Sequence, residues 1–251
     1  MVPYLNVAPI VHGLRDDARF EIVRDVPSRI AELLHAGEID LGMIPSIEYA
    51  AGDYAIVSDI AIGSHGPVRS VCLFHRGPIE AVRRVALDSS SRTSVALLKI
   101  LLRQRLGRDP EYVSMAPRIP EMLAAADAAL AIGDPALYFD EACERLDLGE
   151  AWTQSTGLPF VFAFWAGRPG ALTGSDVERL RASLGAGRAA LDSIASAYNG
   201  WGAGRRSENE AYLRSNIVYD LGEAQRAGLL EFYRRACGLG IIARVPELRF
   251  Q

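Results

Sequence analysis

VRRVALDSSSRTSVALLKILLRQRLG (82–107) opens on an apolar run, crosses a polar loop and ends in a segment of helical period. Val85 to Leu87 read as a buried strand, whereas Val95, Leu98, Leu101 and Leu102 recur every three or four residues, the spacing of one helix face. Gly107 stands where a helix C-cap belongs. Downstream, EYVSM, IPEMLAAA and AALAIG add a strand, a short helix and a strand. Upstream the same order recurs: FEIVRDV alternates like a strand, PSRIAELLHAG has Pro27 at a helix start and Gly37 at its end, and IDLGMIP returns as a buried strand, a βαβ unit expected to be right-handed. YAIVSDIAIG and VRSVCLFHR, separated by the turn-rich SHGP, and the apolar run LPFVFAFWAG read as further strands, and the pattern from Ser175 onward is helical.

This order predicts an α/β protein of two lobes, the second inserted into the first. The chain is expected to cross between them near 76–78 and near 165–168, giving one lobe from 1–77 and 167–251 and the other from 78–166. A strand ahead of PYLN is expected to be very short or to begin upstream of this numbering.

Composition narrows the partners. The chain has 251 residues, 49% of them hydrophobic and 23% charged, with a formal net charge of −4, which argues against broad nucleic-acid binding. No apolar run approaches the roughly 18 residues of a membrane span, and the N-terminus lacks the charged start and long apolar stretch of a leader, so a cytoplasmic location is expected. Cys72, Cys143 and Cys237 are far apart and odd in number, suggesting neither a disulfide framework nor a zinc site. His12, His35, His65 and His75 lack metal-ligand spacing, and no nucleophile elbow GxSxG is present. Glu48 could be a general base, but a glutamate in a first helical turn is equally explained by the helix dipole.

In a βαβ unit the loop after a strand lies at the carboxyl edge of the sheet, and the next helix directs free N–H groups into the crevice there. Ser89, Ser90, Ser91, Thr93 and Ser94 add hydroxyl donors to that place and Arg92 adds a charge. One serine capping the helix would explain one hydroxyl. The rest point to an anion, and the absence of a Walker glycine loop favours a carboxylate over a nucleotide phosphate. Asn6 falls in the first loop facing the same crevice. Ser46 follows a strand and could simply cap a helix, Ser70 opens a crossing strand, and Asp134 before Pro135 reads as an N-cap followed by a first helical residue.

Taken together, YLNVAP, IDLGMIPSIEY, GPVRSV, LDSSSRTSVALL, IGDPAL and TGLPFVFAFWAGR resemble the chorismate dehydratases of the futalosine-type menaquinone pathway. The resemblance implies a two-lobe type II periplasmic-binding-protein-like fold with the ligand cleft between the lobes. It implies loss of water from chorismate to give 3-[(1-carboxyvinyl)oxy]benzoate, without cofactor or metal, by a monomer or homodimer. Asn6 and Ser70 are then the catalytic positions. Ser46, Ser90, Ser91, Arg92, Thr93, Ser94, Gly133 and Asp134 are then substrate-binding, with Arg92 the residue whose side chain could point elsewhere. No protein base is evident in these motifs, so the substrate's enolpyruvyl carboxylate is expected to take the proton. Alternatives are a 1,4-dihydroxy-6-naphthoate synthase-type enzyme, whose first-loop motif differs from YLNVAP, and a non-catalytic binding protein for a small carboxylate. A ligand-sensing transcription factor would need a helix-turn-helix segment that is not seen.

Overall fold

Uninterrupted apolar strands demand cover on both faces, and the arrangement of the sheets supplies it. A computed structural model describes residues 2–14 and 17–251. In chain order the strands are β1 (Leu41–Pro45), β2 (Ala55–Ser64), β3 (Val71–His75), β4 (Arg84–Asp88), β5 (Glu111–Met115), β6 (Ala128–Ile132), β7 (Glu144–Asp147) and β8 (Phe160–Gly167). The helices used below are α1 (Pro27–Ala36), α2 (Thr93–Leu106), α3 (Ile119–Ala125), α4 (Gly133–Leu137), α5 (Leu148–Thr156), α6 (Gly174–Ala189), α7 (Leu191–Ala197), α8 (Arg206–Ser215) and α9 (Glu223–Gly238).

One sheet has the order β5-β4-β6-β3-β7, with β4 parallel to both β5 and β6 and β3 antiparallel to its neighbours. Its period of two is clean. Leu73, Val85, Leu87 and Leu130 join the main core, while Cys72, Phe74, Ala86, Ala129 and Ala131 face a smaller cluster closed by Ile119, Met122 and Leu123 of α3. The other sheet is β1-β8-β2, all antiparallel, with β8 at its centre. The C-terminal end extends it: the Ile56 N–H donates to the Arg249 carbonyl at 2.7 Å and the Gln251 N–H to the Ile56 carbonyl at 2.9 Å. The expected caps are in place, Pro27 in the first turn of α1 and left-handed Gly37 and Gly107 closing α1 and α2.

Two expectations are corrected, and a third falls partly outside the described residues. FEIVRDV forms no strand; residues 20–23 line a groove together with Leu41, Gly42 and Met43. The two crossings shift as well. β3 belongs to the five-stranded sheet and all of β8 to the three-stranded one, so the chain passes between sheets at 64–71 and 156–160 rather than at 76–78 and 165–168. The reason is that β3 and β8 are equally apolar along their length, so composition alone does not say which sheet each enters. The short first strand falls partly on Met1, outside the described residues, and Val2 and Pro3 are in no ladder.

Candidate active site

The carboxyl ends of β4 and β6, the start of β3 and the first turn of the chain converge on a cleft of about 600 Å³ between the sheets. Ser70, Ser91, Ser94 and Gly133 line it from the five-stranded side, while Met43, Ile62 and Phe162 line it from the three-stranded side. This is the crevice outside the strand ends where α/β sheets bind ligands. Asn6, Arg92 and Thr93, also expected from the sequence, border it too.

The serine loop divides its labour. Asp88 ends β4 and folds the loop over its buried carboxylate, which accepts from the Ser90 N–H at 2.9 Å, the Ser90 hydroxyl at 2.6 Å and the Ile132 N–H at 3.2 Å. Burial raises the Asp88 pKa above the ordinary carboxylate value, opposed by these bonds. Ser90 is therefore structural and does not reach the cleft. Thr93 Oγ1 accepts from the Ile47 N–H at 3.1 Å, and Arg92 sends its guanidinium to Glu32 of α1 at 3.0 Å, away from the cleft. Ser91 and Ser94 differ: both are nearly buried, both line the cleft, and neither hydroxyl has a protein partner among the described residues. The first-turn N–H groups of Thr93, Ser94 and Val95 likewise lack a backbone acceptor outside the helix. Two hydroxyls and a helix start thus remain open to an anion.

Asn6 sits in a single 3-10 turn, Leu5–Val7. Its Oδ1 is buried without a hydrogen-bond partner among the described residues, an arrangement that costs stability unless something else donates to it. The turn is tied down by Asp134, whose carboxylate accepts from the Leu5 N–H at 3.0 Å and from the Tyr198 hydroxyl. Asp134 is thus not the N-cap expected from the sequence: α4 starts one residue earlier and Asp134 turns inward to the first loop. It holds the loop and does not line the cleft. Burial raises its pKa. Gly133 has φ of +65° and a Cβ there would stand 2.6 Å from the Tyr4 ring, so both its backbone and its close packing require glycine.

Ser46 does not line the cleft. Fully buried, it donates to the Val161 carbonyl at 2.8 Å and supports β8 from behind. Ser70 does reach the cleft. Its backbone is fixed from three sides: the Val68 and Arg69 N–H groups donate to Asp147, its own N–H to the Val68 carbonyl at 2.7 Å, and its carbonyl accepts from the Gly133 N–H at 2.8 Å. Arg69 takes φ of +62°, a strained value for a non-glycine residue that the Asp147 bonds hold in place. Tyr212 of α8 donates to the Ser70 hydroxyl oxygen at 2.7 Å.

Sequence reasoning missed Tyr4 and Tyr212. Tyr4 adjoins Asn6 in YLN and was within reach of that motif; burial pushes its phenol up to about 12. Tyr212 lies in a polar helix far along the chain, with no local mark. Glu48 pairs with His35 at 2.8 Å, outside the cleft lining.

Residues 1–237 match the profile of a family described as Menaquinone biosynthesis. The chain belongs to that family. This menaquinone-biosynthesis family member is 35% identical over 258 residues to a Thermus thermophilus protein named chorismate dehydratase, the match covering 91% of each. It is 32% identical over 162 residues to a Campylobacter jejuni protein of the same name, covering 64% of this chain and 58% of that one. In fold it is similar to a crystal structure of an Archaeoglobus fulgidus protein, with a TM-score of 0.81 at 20% identity over 96% of this chain and 97% of that one. The periplasmic aliphatic sulphonate binding protein SsuA of Escherichia coli gives 0.67 at 18% identity over 100% and 91%. The architecture is therefore the periplasmic-binding-protein fold, as expected from the sequence.

Proposed function

We propose that this protein is a chorismate dehydratase, a hydro-lyase that converts chorismate to 3-[(1-carboxyvinyl)oxy]benzoate. In this reading the C–H bond at the ether-bearing ring carbon breaks, its electrons form a ring double bond, and hydroxide leaves the neighbouring carbon to depart with the proton as water. The elimination changes no net oxidation state, and aromatisation drives it. Chorismate carries two carboxylates; the open first turn of α2 with Ser91 and Ser94 suits one of them. Met43, Ile62 and Phe162 give the ring an apolar wall.

The observation that carries the mechanism is the chemistry of the lining. Among the described residues that border the cleft none is Asp, Glu or His, and Tyr4, at about 12, stays protonated near neutrality. A proton acceptor then has to arrive with the substrate, whose enolpyruvyl carboxylate hangs beside the C–H bond to be broken. Asn6 and Ser70 orient substrate oxygens, a role suited to an amide and a hydroxyl. The same reading carries a cytoplasmic small-molecule enzyme with neither nucleic-acid nor membrane partner; no helix among the described residues is long and apolar enough to cross a membrane.

The test is purified protein with chorismate alone, followed by mass spectrometry for loss of one water and by the ultraviolet change of aromatisation. Turnover is expected, and Asn6→Ala and Ser70→Ala are each expected to lower kcat by about 100-fold or more, as loss of a positioned hydrogen-bonding group does. Binding without turnover would assign a carboxylate-binding protein instead, and turnover near wild type in both variants would remove the roles given to Asn6 and Ser70.

A further inference from the structure

We infer that Tyr212 is a positioning residue that makes Ser70 a one-way hydrogen-bond donor toward the leaving hydroxyl of the substrate. The inference rests on the chorismate reading above.

A serine hydroxyl can donate once and accept twice, and free rotation lets it do either. At Ser70 that freedom is removed. Tyr212 is fully buried, and burial holds its phenol far above neutrality, so it is a donor. Its O–H points at the Ser70 oxygen at 2.7 Å and occupies one acceptor position. Ser70 is itself 1% exposed, its oxygen has no acceptor for its own proton among the described protein groups, and it lines the cleft. The one direction left for that proton is the cleft. The Ser70 backbone does not rotate to evade this, being pinned through Asp147 and the Gly133 N–H. A second device aligns the partner: Arg69 reaches Glu208 of α8 at 3.0 Å, one turn before Tyr212, so the helix that carries the donor is fastened to the segment that carries the acceptor.

Chemically, a donor aimed at the leaving oxygen stabilises the negative charge that gathers there as the C–O bond lengthens. That interaction strengthens in the transition state, so its loss lowers kcat more than it raises KM. A Tyr212 hydroxyl that merely filled space would show no such split.

The experiment is a double-mutant cycle in chorismate turnover with wild type, Tyr212→Phe, Ser70→Ala and the double variant, each checked by circular dichroism and thermal melting. Wild-type turnover is measured first; its absence overturns the chorismate reading and this inference together. With turnover present, Tyr212→Phe is expected to lower kcat by about 10-fold with KM within about twofold, and the double variant to match Ser70→Ala alone, because Tyr212 acts through Ser70. Multiplicative losses, or a Tyr212→Phe enzyme equal to wild type, overturn the inference and leave the chorismate reading standing. Tyr219→Phe is the control: it deletes a buried phenol oxygen with no partner among the described residues, and its turnover is expected to equal wild type. If the phenylalanine variant does not fold, the same cycle is run with Tyr212→Met, whose flexible side chain fills irregular space without an O–H.

Discussion

The Asn6 carboxamide oxygen is an acceptor left unpaired among the described residues, and this gives it opposite effects on stability and activity. Replacing it with an apolar residue of similar size removes a buried unsatisfied oxygen, an effect of about 1 kcal/mol. Asn6→Leu is therefore expected to melt about 2–4 °C higher while chorismate turnover disappears, the temperature shift following from the size of the chain. Differential scanning calorimetry beside the turnover assay checks it, and a lower melting temperature would show that Oδ1 has a partner in solution. Asp134 makes a different prediction. Its pKa is raised by burial, against the bonds from Tyr198 and Leu5, so the native state favours the protonated form. That contribution is full below the ordinary carboxylate pKa and is lost as pH rises through the raised value. Asp134→Asn keeps an oxygen for the Leu5 N–H and has no charge to bury. Its melting temperature relative to wild type is expected to climb as pH rises above the ordinary carboxylate pKa; a difference independent of pH would mean that Asp134 is not held toward its neutral form.

Helix α5 shows how one element sets the path of another. Asp147 caps it, accepting from the Gly149 and Glu150 N–H groups, and with the same carboxylate holds Val68 and Arg69. Gly149 lies against the first crossing: a Cβ there would stand 2.8 Å from the Gly66 carbonyl and would meet the Ser64 hydroxyl. Gly149→Ala is expected to destabilise by about 1–3 kcal/mol, as overpacking does, and to lower turnover through the displaced Ser70 loop. Urea melts measure the first effect, and an unchanged midpoint would mean that the crossing yields freely. How far such elements can be read in advance depends on whether their cause is local. The ends of α1 and α2 were legible because Pro27, Gly37 and Gly107 act within a turn of where they stand. The cleft-facing role of Asn6, Ser70, Ser91 and Ser94 was legible through strand-to-helix position and motif. By contrast, FEIVRDV alternates correctly but a ladder needs a second strand at hydrogen-bonding distance, and nothing in the segment specifies that distance. Ser90, Arg92 and Thr93 carry the same chemistry as their neighbours; Ser90 turns back to Asp88 two residues before it, whereas the diversion of Arg92 to Glu32 and of Thr93 to Ile47 is decided by residues far along the chain. The hold of Tyr212 on Ser70 spans 142 positions and leaves no local trace.

Across the whole molecule, the contacts between the two sheets' surroundings gather at the mouth of α2. The Ser28 N–H donates to the Ser90 carbonyl, the Ile47 N–H to Thr93 Oγ1, and Arg92 pairs with Glu32, so the hydroxyl-rich loop fastens the lobes as well as facing the ligand. These ties differ in weight. Arg92 and Glu32 are both close to half exposed, and such a pair is worth about 0–1 kcal/mol, so Arg92→Ala is expected to change KM for chorismate by no more than about fivefold. The Thr93 tie is buried, and removing its oxygen leaves the Ile47 N–H without an acceptor in the closed arrangement, at about 1–3 kcal/mol. If the lobes part by a hinge motion, water would reach that N–H, so the loss would weigh on the closed form alone and shift the population toward the open one. Ligand affinity is reduced in proportion to the closed fraction. Thr93→Val, which keeps the shape and deletes the oxygen, is therefore expected to raise KM by about tenfold, each 1.4 kcal/mol being one decade. Once saturating chorismate has closed the lobes, kcat should stay within about threefold of wild type. Small-angle scattering supplies the physical readout: the unliganded variant should be more extended than wild type and contract to the same radius with chorismate. A fall in kcat at unchanged KM and radius would instead make Thr93 a direct partner of the reacting atoms.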